Sequence, residues 1–372
     1  MVYLDNAATT FKKPKCVRKS LTEVNCIFGN AGRASHDISE RAAETVFKAR
    51  CKVSRFLGLN KPENVVFTLN ATYALNFAIK GLIREPCHVL ISDLEHNSVI
   101  RPLFKLKEEI GLRYSTFDAK SPDLFSEIES KIQKDTKFLI STLASNVIGK
   151  EVSLEILSTI AKKHSIKLIV DASQLIGHKA INLSKTPCDA LCAPAHKALF
   201  GITGLGFVVF GNSLKLETLI EGGSGFYSRE TKMPTELPER MEAGTLPIPA
   251  INALSAGIDY ISKIGIDEIE YKMNFLTNRA KEMILSVPNV IFYGGELGVI
   301  SFNLCNHSSE SIASMLNEHR ICVRAGLHCA PMAHYRIGTR DIGTVRVSFS
   351  YLTKSNEIER LYKALKVIER GL

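Results

Sequence analysis

The sequence lacks an uninterrupted apolar run of the roughly 18 residues that a membrane-crossing helix needs. Its first residues, MVYLDNAATT, also lack the basic segment and apolar stretch of a leader. A cytoplasmic protein with no membrane partner is therefore expected. Paired CxxC spacing is missing too: the nine cysteines (16, 26, 51, 87, 188, 192, 305, 322 and 329) are an odd number in a chain long enough to bury its own core. They read as reduced thiols that mostly fill space as small apolar side chains, which excludes a disulfide framework. Low-complexity runs and solenoid-period repeats are absent, so neither a disordered tail nor an array is expected. The net charge of +9 comes from 47 Lys and Arg against 38 Asp and Glu. The two signs are interleaved, with no basic block carrying regularly spaced aromatics, so direct nucleic-acid binding is not expected. An anionic small ligand or an acidic protein partner fits this charge.

What is present is alternation. A chain of 372 residues, 45% hydrophobic, suits a large domain with a smaller companion. From about residue 35 to 210, short apolar runs alternate with helical patterns. Strand candidates are NVVFT (64–68), HVLIS (88–92), KFLIST (137–142), KLIVDA (167–172), CDALCA (188–193) and GFVVF (206–210). They are apolar without alternation, as expected of strands covered on both faces. Between them, SLEILSTIAKKH (153–164) places Leu154, Leu157 and Ile160 or Ala161 at helical spacing. The pattern predicts an α/β domain with a largely parallel sheet. Before it, residues 37–57 read as a helix opened by an Asp37 and Glu40 capping pair, with Val46, Phe47, Val53 and Phe56 on one side. After about residue 262 the style becomes α+β. A long helix (266–286) is followed by strands NVIFY and GVISFNL, a helix near 309–319, the strand TVRVSFS and a closing helix (354–370).

In open α/β sheets, ligands sit beyond the carboxyl ends of strands. Five of these ends carry polar groups: Asn70, Ala71 and Thr72; His96; Ser145 and Asn146; Asp171 and Gln174; His196 and Lys197. Taken singly, Asp171 reads as a turn cap, Asn70 or Thr72 as a helix cap, and Lys197 as a solvated lysine. Their convergence on one edge is what those readings leave unexplained. Together they suit one ligand. A helix start at Ala71 and Thr72 suits a phosphate, Asp171 a pyridinium N–H, Lys197 a Schiff base, and His96 a stacked aromatic ring. That combination describes pyridoxal 5′-phosphate (PLP). Gly201, Gly204 and Gly206 lack dinucleotide-site spacing and precede a strand instead of following one.

The stretch RAGLHCAP (324–331) is read as a loop of the second domain, shaped by Gly326 and Pro331 and followed by His334. From the residues alone, Cys329 is a metal ligand, a nucleophile or core filling. A closed zinc site needs four ligands, and no second Cys/His pair lies nearby in sequence, so no metal is expected.

In order and spacing, YLDNAATT, GNAGRASHDIS (29–39), ATYALN, EHNS, DASQ, HK, MEAGT (241–245), RAGLHCAP and GTVRVSFS (343–350) resemble the cysteine desulfurases. These are class V aminotransferase-type enzymes of PLP fold type I, and the likeness is to the group II type and its selenocysteine-lyase relatives. The resemblance implies a large PLP-binding domain (20–262) with a mainly parallel seven-stranded sheet. It also implies a small α+β domain (1–19 and 263–372) carrying the cysteine loop. It assigns Lys197 as the Schiff-base lysine, Asp171 as the ring-nitrogen partner and Gln174 as a donor to the ring oxygen. His96 becomes the stacking and catalytic residue, while Ala71, Thr72 and His196 become phosphate contacts. Asn146 falls near ring and substrate, Arg346 on the substrate carboxylate, and Ala7 and His36 at substrate contacts. Thr245 reaches the neighbouring subunit's phosphate, which implies a homodimer. Cys329 is then the acceptor of sulfur from L-cysteine, releasing alanine and forming a persulfide for an acceptor protein, for example in iron–sulfur assembly. His328, Arg324 or the cofactor would stabilise its thiolate or take its proton.

Three departures from the family pattern stand out: Pro194-Ala195 before His196-Lys197, Leu327 in place of a histidine, and SYLTKS near the end. Transamination, racemisation or selenocysteine cleavage on the same cofactor, and a catalytically silent scaffold, are the competing readings.

Overall fold

The computed structural model describes residues 1–24, 29–31, 36–212, 214–227 and 229–370. Cys26 and residues 32–35 of GNAGRASHDIS lie outside the described residues. The chain opens with β1 (Val2–Tyr3), α1 (Lys15–Val24) and α2 (Asp37–Phe56). The main sheet then takes β2 (Val65–Thr68), β3 (His88–Ser92), β4 (Arg113–Phe117), β5 (Thr136–Thr142), β6 (Lys167–Asp171), β7 (Ala190–Pro194) and β8 (Gly206–Phe210). Their spatial order is β2-β8-β7-β6-β5-β3-β4. β4, β3, β5, β6 and β7 pair in parallel, whereas β8 runs antiparallel to both β7 and β2. Helices α3 (Ala71–Leu82), α4 (Asn97–Ile110), α5 (Leu124–Lys131) and α6 (Leu154–His164) connect the strands.

The unalternating apolar runs have the expected cause. In β6, Leu168 and Val170 join the core shared with α2, α6 and α7 (Ile248–Ile264). Ile169 points the other way, into the core shared with α3 and α4. Each such buried side chain contributes about 2 kcal/mol through removal from water. β4 was not foreseen as a run of residues: Arg113 and Thr116 are exposed and only Phe117 is fully buried, so this edge strand has no apolar signature. The helix beginning near residue 37 is capped by His36, whose Nδ1 accepts the Ser39 amide at 3.2 Å, and not by the expected Asp37 and Glu40 pair. Phe47, expected on its packed face, is exposed at 58%.

Past α8 (Ile266–Leu285) a second, antiparallel sheet forms in the order β12-β10-β9, from β9 (Val290–Glu296), β10 (Val299–Leu304) and β12 (Val345–Ser348). Between them lie α9 (Ser309–Glu318), β11 (Ile321–Cys322) and α10 (Pro331–Arg336), and α11 (Ser355–Arg370) closes the chain. β1 pairs in parallel with β11, and Asp5 bridges to Ser348. The Thr10 amide then donates to the His196 carbonyl at the end of β7. The first ten residues thus tie the second sheet to the carboxyl edge of the first. Among the described residues, no helix is long and apolar enough to cross a membrane.

Candidate active site

The carboxyl ends of β2, β3, β5, β6 and β7 open on one pocket, lined by Ala71, Thr72, His96, Asn146, Asp171, Gln174, His196 and Lys197. Every residue expected to hold the cofactor is there except Thr245. That side chain is exposed and lines a different cleft with Leu69, Tyr73 and Ile220.

Local sequence explains the placement. Asn70 caps α3 by accepting the Tyr73 amide at 3.1 Å, which aims the first turn, Ala71 and Thr72, into the pocket. Gly206 permits this: a Cβ there would sit 2.4 Å from the Asn70 carbonyl carbon. His96 caps α4. Its Nδ1 accepts the Ser98 amide at 3.0 Å and pairs with the Ser98 hydroxyl at 2.9 Å, and that hydroxyl lies 2.8 Å from the Thr72 hydroxyl. Because the Ser98 amide donates to Nδ1, a neutral ring carries its proton on Nε2; burial lowers the His96 pKa, with Asp171 opposing. Asp171, 4% exposed, accepts the Ser173 amide at Oδ1 (2.9 Å). Gln174 Nε2 donates to the Ala7 carbonyl at 3.1 Å, and the Ala7 amide donates to Ser348 Oγ at 2.8 Å. Ala7 therefore lies beside the pocket. His36 is exposed at the start of α2 and is not part of the pocket lining.

Burial lowers Lys197 to a pKa of about 8, with Asp171 raising it and Arg346 and Arg324 lowering it. His196 is pushed down to about 4, first by burial and then by the charges of Lys197 and Lys13, and its Nδ1 is buried without a hydrogen-bond partner. Sequence reasoning passed over Glu95, which is fully buried beside His96. Its Oε1 accepts from the Ser92 hydroxyl and, at 2.7 Å, from the Thr142 amide, while Oε2 has no partner. The signal for it was the acid in EHNS.

RAGLHCAP is tied beside this pocket through two of its carbonyls. The Asn97 amide donates to the Cys329 carbonyl at 2.8 Å, and Asn146 Nδ2 donates to the His328 carbonyl at 2.7 Å. Asn146 thus spends its amide on the loop. The Cys329 side chain is exposed, with Arg324 Nη2 4.0 Å from Sγ. His328 makes no hydrogen bond to the thiol, and its Nδ1 is buried without a partner. It is 4% exposed, its Nε2 lies 3.1 Å from both the carbonyl and the hydroxyl of Thr344, and burial drives its pKa down to about 2. The His334 ring lies beside it, with centroids 5.4 Å apart and planes tilted by 41°. Among the described residues no group of three or more His, Cys, Asp or Glu could hold a metal. Arg346, 1% exposed, is held by Asp5 Oδ1 at 2.7 Å and the Asn146 carbonyl at 2.9 Å, and its Nε has no partner. Of the sequence departures, Pro194 ends β7 and lines the pocket, and Leu327 is 40% exposed. In SYLTKS, Thr353 Oγ1 accepts the Ser350 amide just before α11.

The donor set fits PLP. A helix start with two hydroxyls and an unpartnered histidine nitrogen suits its phosphate, a buried carboxylate its ring nitrogen, and a lysine with a lowered pKa its aldehyde. Fold and pocket together define an enzyme of PLP fold type I. The chain belongs to the class-V aminotransferase family, matched over residues 2–361, and stands among the cysteine desulfurases. It is 31% identical to a probable cysteine desulfurase of Methanothermobacter thermautotrophicus, over 99% of this chain and 94% of that protein. It is 30% identical to the cysteine desulfurase of Salmonella agona, over 100% and 94%. The apo structure of a cysteine desulfurase from Thermococcus onnurineus superposes with a TM-score of 0.92 at 31% identity, covering 100% of this chain and 95% of that one.

Proposed function

We propose that the protein is a cytoplasmic, PLP-dependent cysteine desulfurase of the group II type. It converts L-cysteine to L-alanine and leaves the sulfur on Cys329 as a persulfide. The observation that carries this reading is the exposed Cys329 thiol on a loop whose carbonyls are tied to Asn97 and Asn146, beside the pocket of Lys197 and Asp171.

When bound, PLP supplies a ring that withdraws the electrons left on the substrate α-carbon. Asp171 would hold the proton on the ring nitrogen, His96 would face the ring, and His196, Thr72 and the α3 start would take the phosphate. Lys197 holds the cofactor at rest. Its amine, with a pKa of about 8, then removes the α-proton near neutral pH. Arg346 is fixed by Asp5, so its remaining N–H groups are aimed before substrate arrives, which suits a carboxylate. The Cys329 thiolate, with Arg324 as its nearest cation, attacks the substrate sulfur. The new S–S bond forms as the substrate Cβ–S bond breaks, and the electron pair goes to the carbon, which takes a proton on the way to alanine. Residues 20–262 supply the cofactor pocket. Residues 1–19 and 263–372 supply Ala7, Arg324, Cys329 and Arg346. Thr245, exposed away from its own pocket among apolar neighbours, serves the second subunit of a homodimer. The sulfur passes on to an acceptor protein, one serving iron–sulfur assembly being the first choice.

The test is direct. Holoenzyme given L-cysteine and a reductant releases alanine and sulfide in equal amounts, and without reductant the Cys329 peptide gains the mass of one sulfur. Cys329→Ala keeps the cofactor's absorbance but releases only background sulfide. Sulfide at the wild-type rate from that variant removes Cys329 from the mechanism. A parallel run with selenocysteine separates a selenium-specific lyase from the reading preferred here.

A further inference from the structure

Lys13 is a half-buried lysine whose hydrogen bonds go to neutral oxygens: Thr10 Oγ1 at 2.6 Å and the His196 carbonyl at 3.2 Å. Burial alone pushes its pKa down to about 8. A cation kept in such a place costs folding free energy unless its contacts offset it.

The contacts converge on one peptide. The His196 carbonyl accepts from the Thr10 amide at 3.1 Å, Thr9 Oγ1 at 3.2 Å, Thr10 Oγ1 at 3.1 Å and Lys13 Nζ. Thr10, 3% exposed, also reaches the Lys197 carbonyl with Oγ1 at 3.1 Å. A lysine ammonium has donors and no acceptor, while a threonine hydroxyl has a single proton. Thr10 Oγ1 must therefore accept from Lys13, and its own proton is forced toward the carbonyls of His196 and Lys197. By donating to that oxygen, Lys13 polarises the hydroxyl and strengthens it as a donor to the two carbonyls, without itself lining the pocket.

We propose that Lys13 and Thr10 form a positioning clamp on the backbone of His196 and Lys197, through which the N-terminal segment tunes how tightly the cofactor lysine engages PLP. The inference rests on Lys197 being the cofactor lysine. Neither clamp residue is catalytic. Both act through the two peptides that carry the phosphate contact and the amine.

The experiment titrates apo-protein with PLP, follows the cofactor's visible absorbance and its pH titration, and records the thermal midpoint of each apo form. Lys13→Met and Thr10→Val each weaken PLP binding about tenfold, the loss expected for one charge-assisted hydrogen bond. Each also shifts the midpoint of the absorbance pH titration. The double variant loses less than the product of the two single losses, because Lys13 acts partly through that hydroxyl and partly through its own bond to the His196 carbonyl. Lys13→Arg restores most of the affinity. Wild-type binding by Lys13→Met, or losses that multiply in the double variant, overturns the clamp. Should Lys13→Met fail to fold, Thr10→Val against Thr10→Ser decides by the same readouts: Val weakened and Ser near wild type supports the clamp, and the two binding alike overturns it. A Lys197→Ala variant that keeps the wild-type spectrum instead overturns the reading of Lys197 beneath it.

Discussion

The strand-end pocket and the Cys329 loop lie side by side, tied through Asn146, yet they are built by different rules. In the pocket, side chains do the holding. Asp171, His96 and Lys197 stand at the ends of buried parallel strands or cap a helix that follows one, and burial shifts the pKa values of His96 and Lys197. In the loop, the backbone carbonyls of His328 and Cys329 are what is held, by the Asn146 side chain and the Asn97 amide, with the His328 ring as a buried anchor. His328 and Cys329 have φ of +49° and +58°, non-glycine residues in the left-handed region, each costing on the order of 1 kcal/mol. The Asn97 and Asn146 hydrogen bonds to their carbonyls keep them there, and the thiol is left exposed. Under the proposed function, a cofactor that stays bound calls for enclosure and a sulfur handed to an acceptor calls for an open face.

The largest expected effect separates the two regions. Lys197→Ala loses both the cofactor's absorbance and turnover, with a rate loss on the order of 10³-fold or more. Cys329→Ala matches it in turnover while its spectrum and PLP affinity stay those of the wild type. Absorbance titration beside sulfide release reads both. PLP affinity falling with Cys329→Ala would mean the loop belongs to the cofactor site, and the distinction would collapse.

A smaller effect sharpens the same contrast from the loop side. The His328 imidazole is the loop's buried anchor, hydrogen-bonded to Thr344 and not to the thiol. His328→Ala removes that anchor, so the rate of Cys329 persulfide formation falls about tenfold with PLP affinity unchanged, the loss of roughly one hydrogen bond's worth of positioning. Rapid-quench mass spectrometry of the Cys329 peptide measures it. A pH profile that loses a limb in this variant would instead make His328 a proton carrier.

How much of this was legible in sequence follows the same division. Strands buried on both faces wrote themselves as apolar runs, and the polar residues after them marked the pocket edge. Edge strand β4 wrote nothing, because Arg113, Tyr114, Ser115 and Thr116 answer partly to solvent. The α2 cap was misplaced by one residue because a histidine ring nitrogen can do what an aspartate does. The docking of the Cys329 loop uses two loop carbonyls and the Asn97 backbone amide, which every residue type carries, so only the Asn146 side chain could have announced it. Lys13 was invisible for a related reason, since its partners are a neighbouring hydroxyl and a carbonyl far along the chain.

The smallest effect lies in the pocket wall and concerns stability. Glu95 is fully buried, and desolvation, with Asp171 and Asp93 adding to it, raises its pKa to about 8 against the hydrogen bonds from Ser92 and Thr142. Between about pH 4.5 and 8 the unfolded carboxyl releases its proton while the folded one keeps it. The folded state then binds more protons, and the stability Glu95 contributes at low pH is lost as pH rises through that window. Glu95→Gln has the shape of the protonated acid and no titration. Its stability relative to the wild type should therefore grow from pH 5 to pH 8 by on the order of 1–3 kcal/mol, read from denaturant melts of apo-protein at both values. A difference that stays constant with pH would mean the carboxyl is ionised in the fold. Asp171 would then share its surroundings with a second negative charge, and the enclosure credited to the pocket would be less complete than its counterpart, the open loop, requires by contrast.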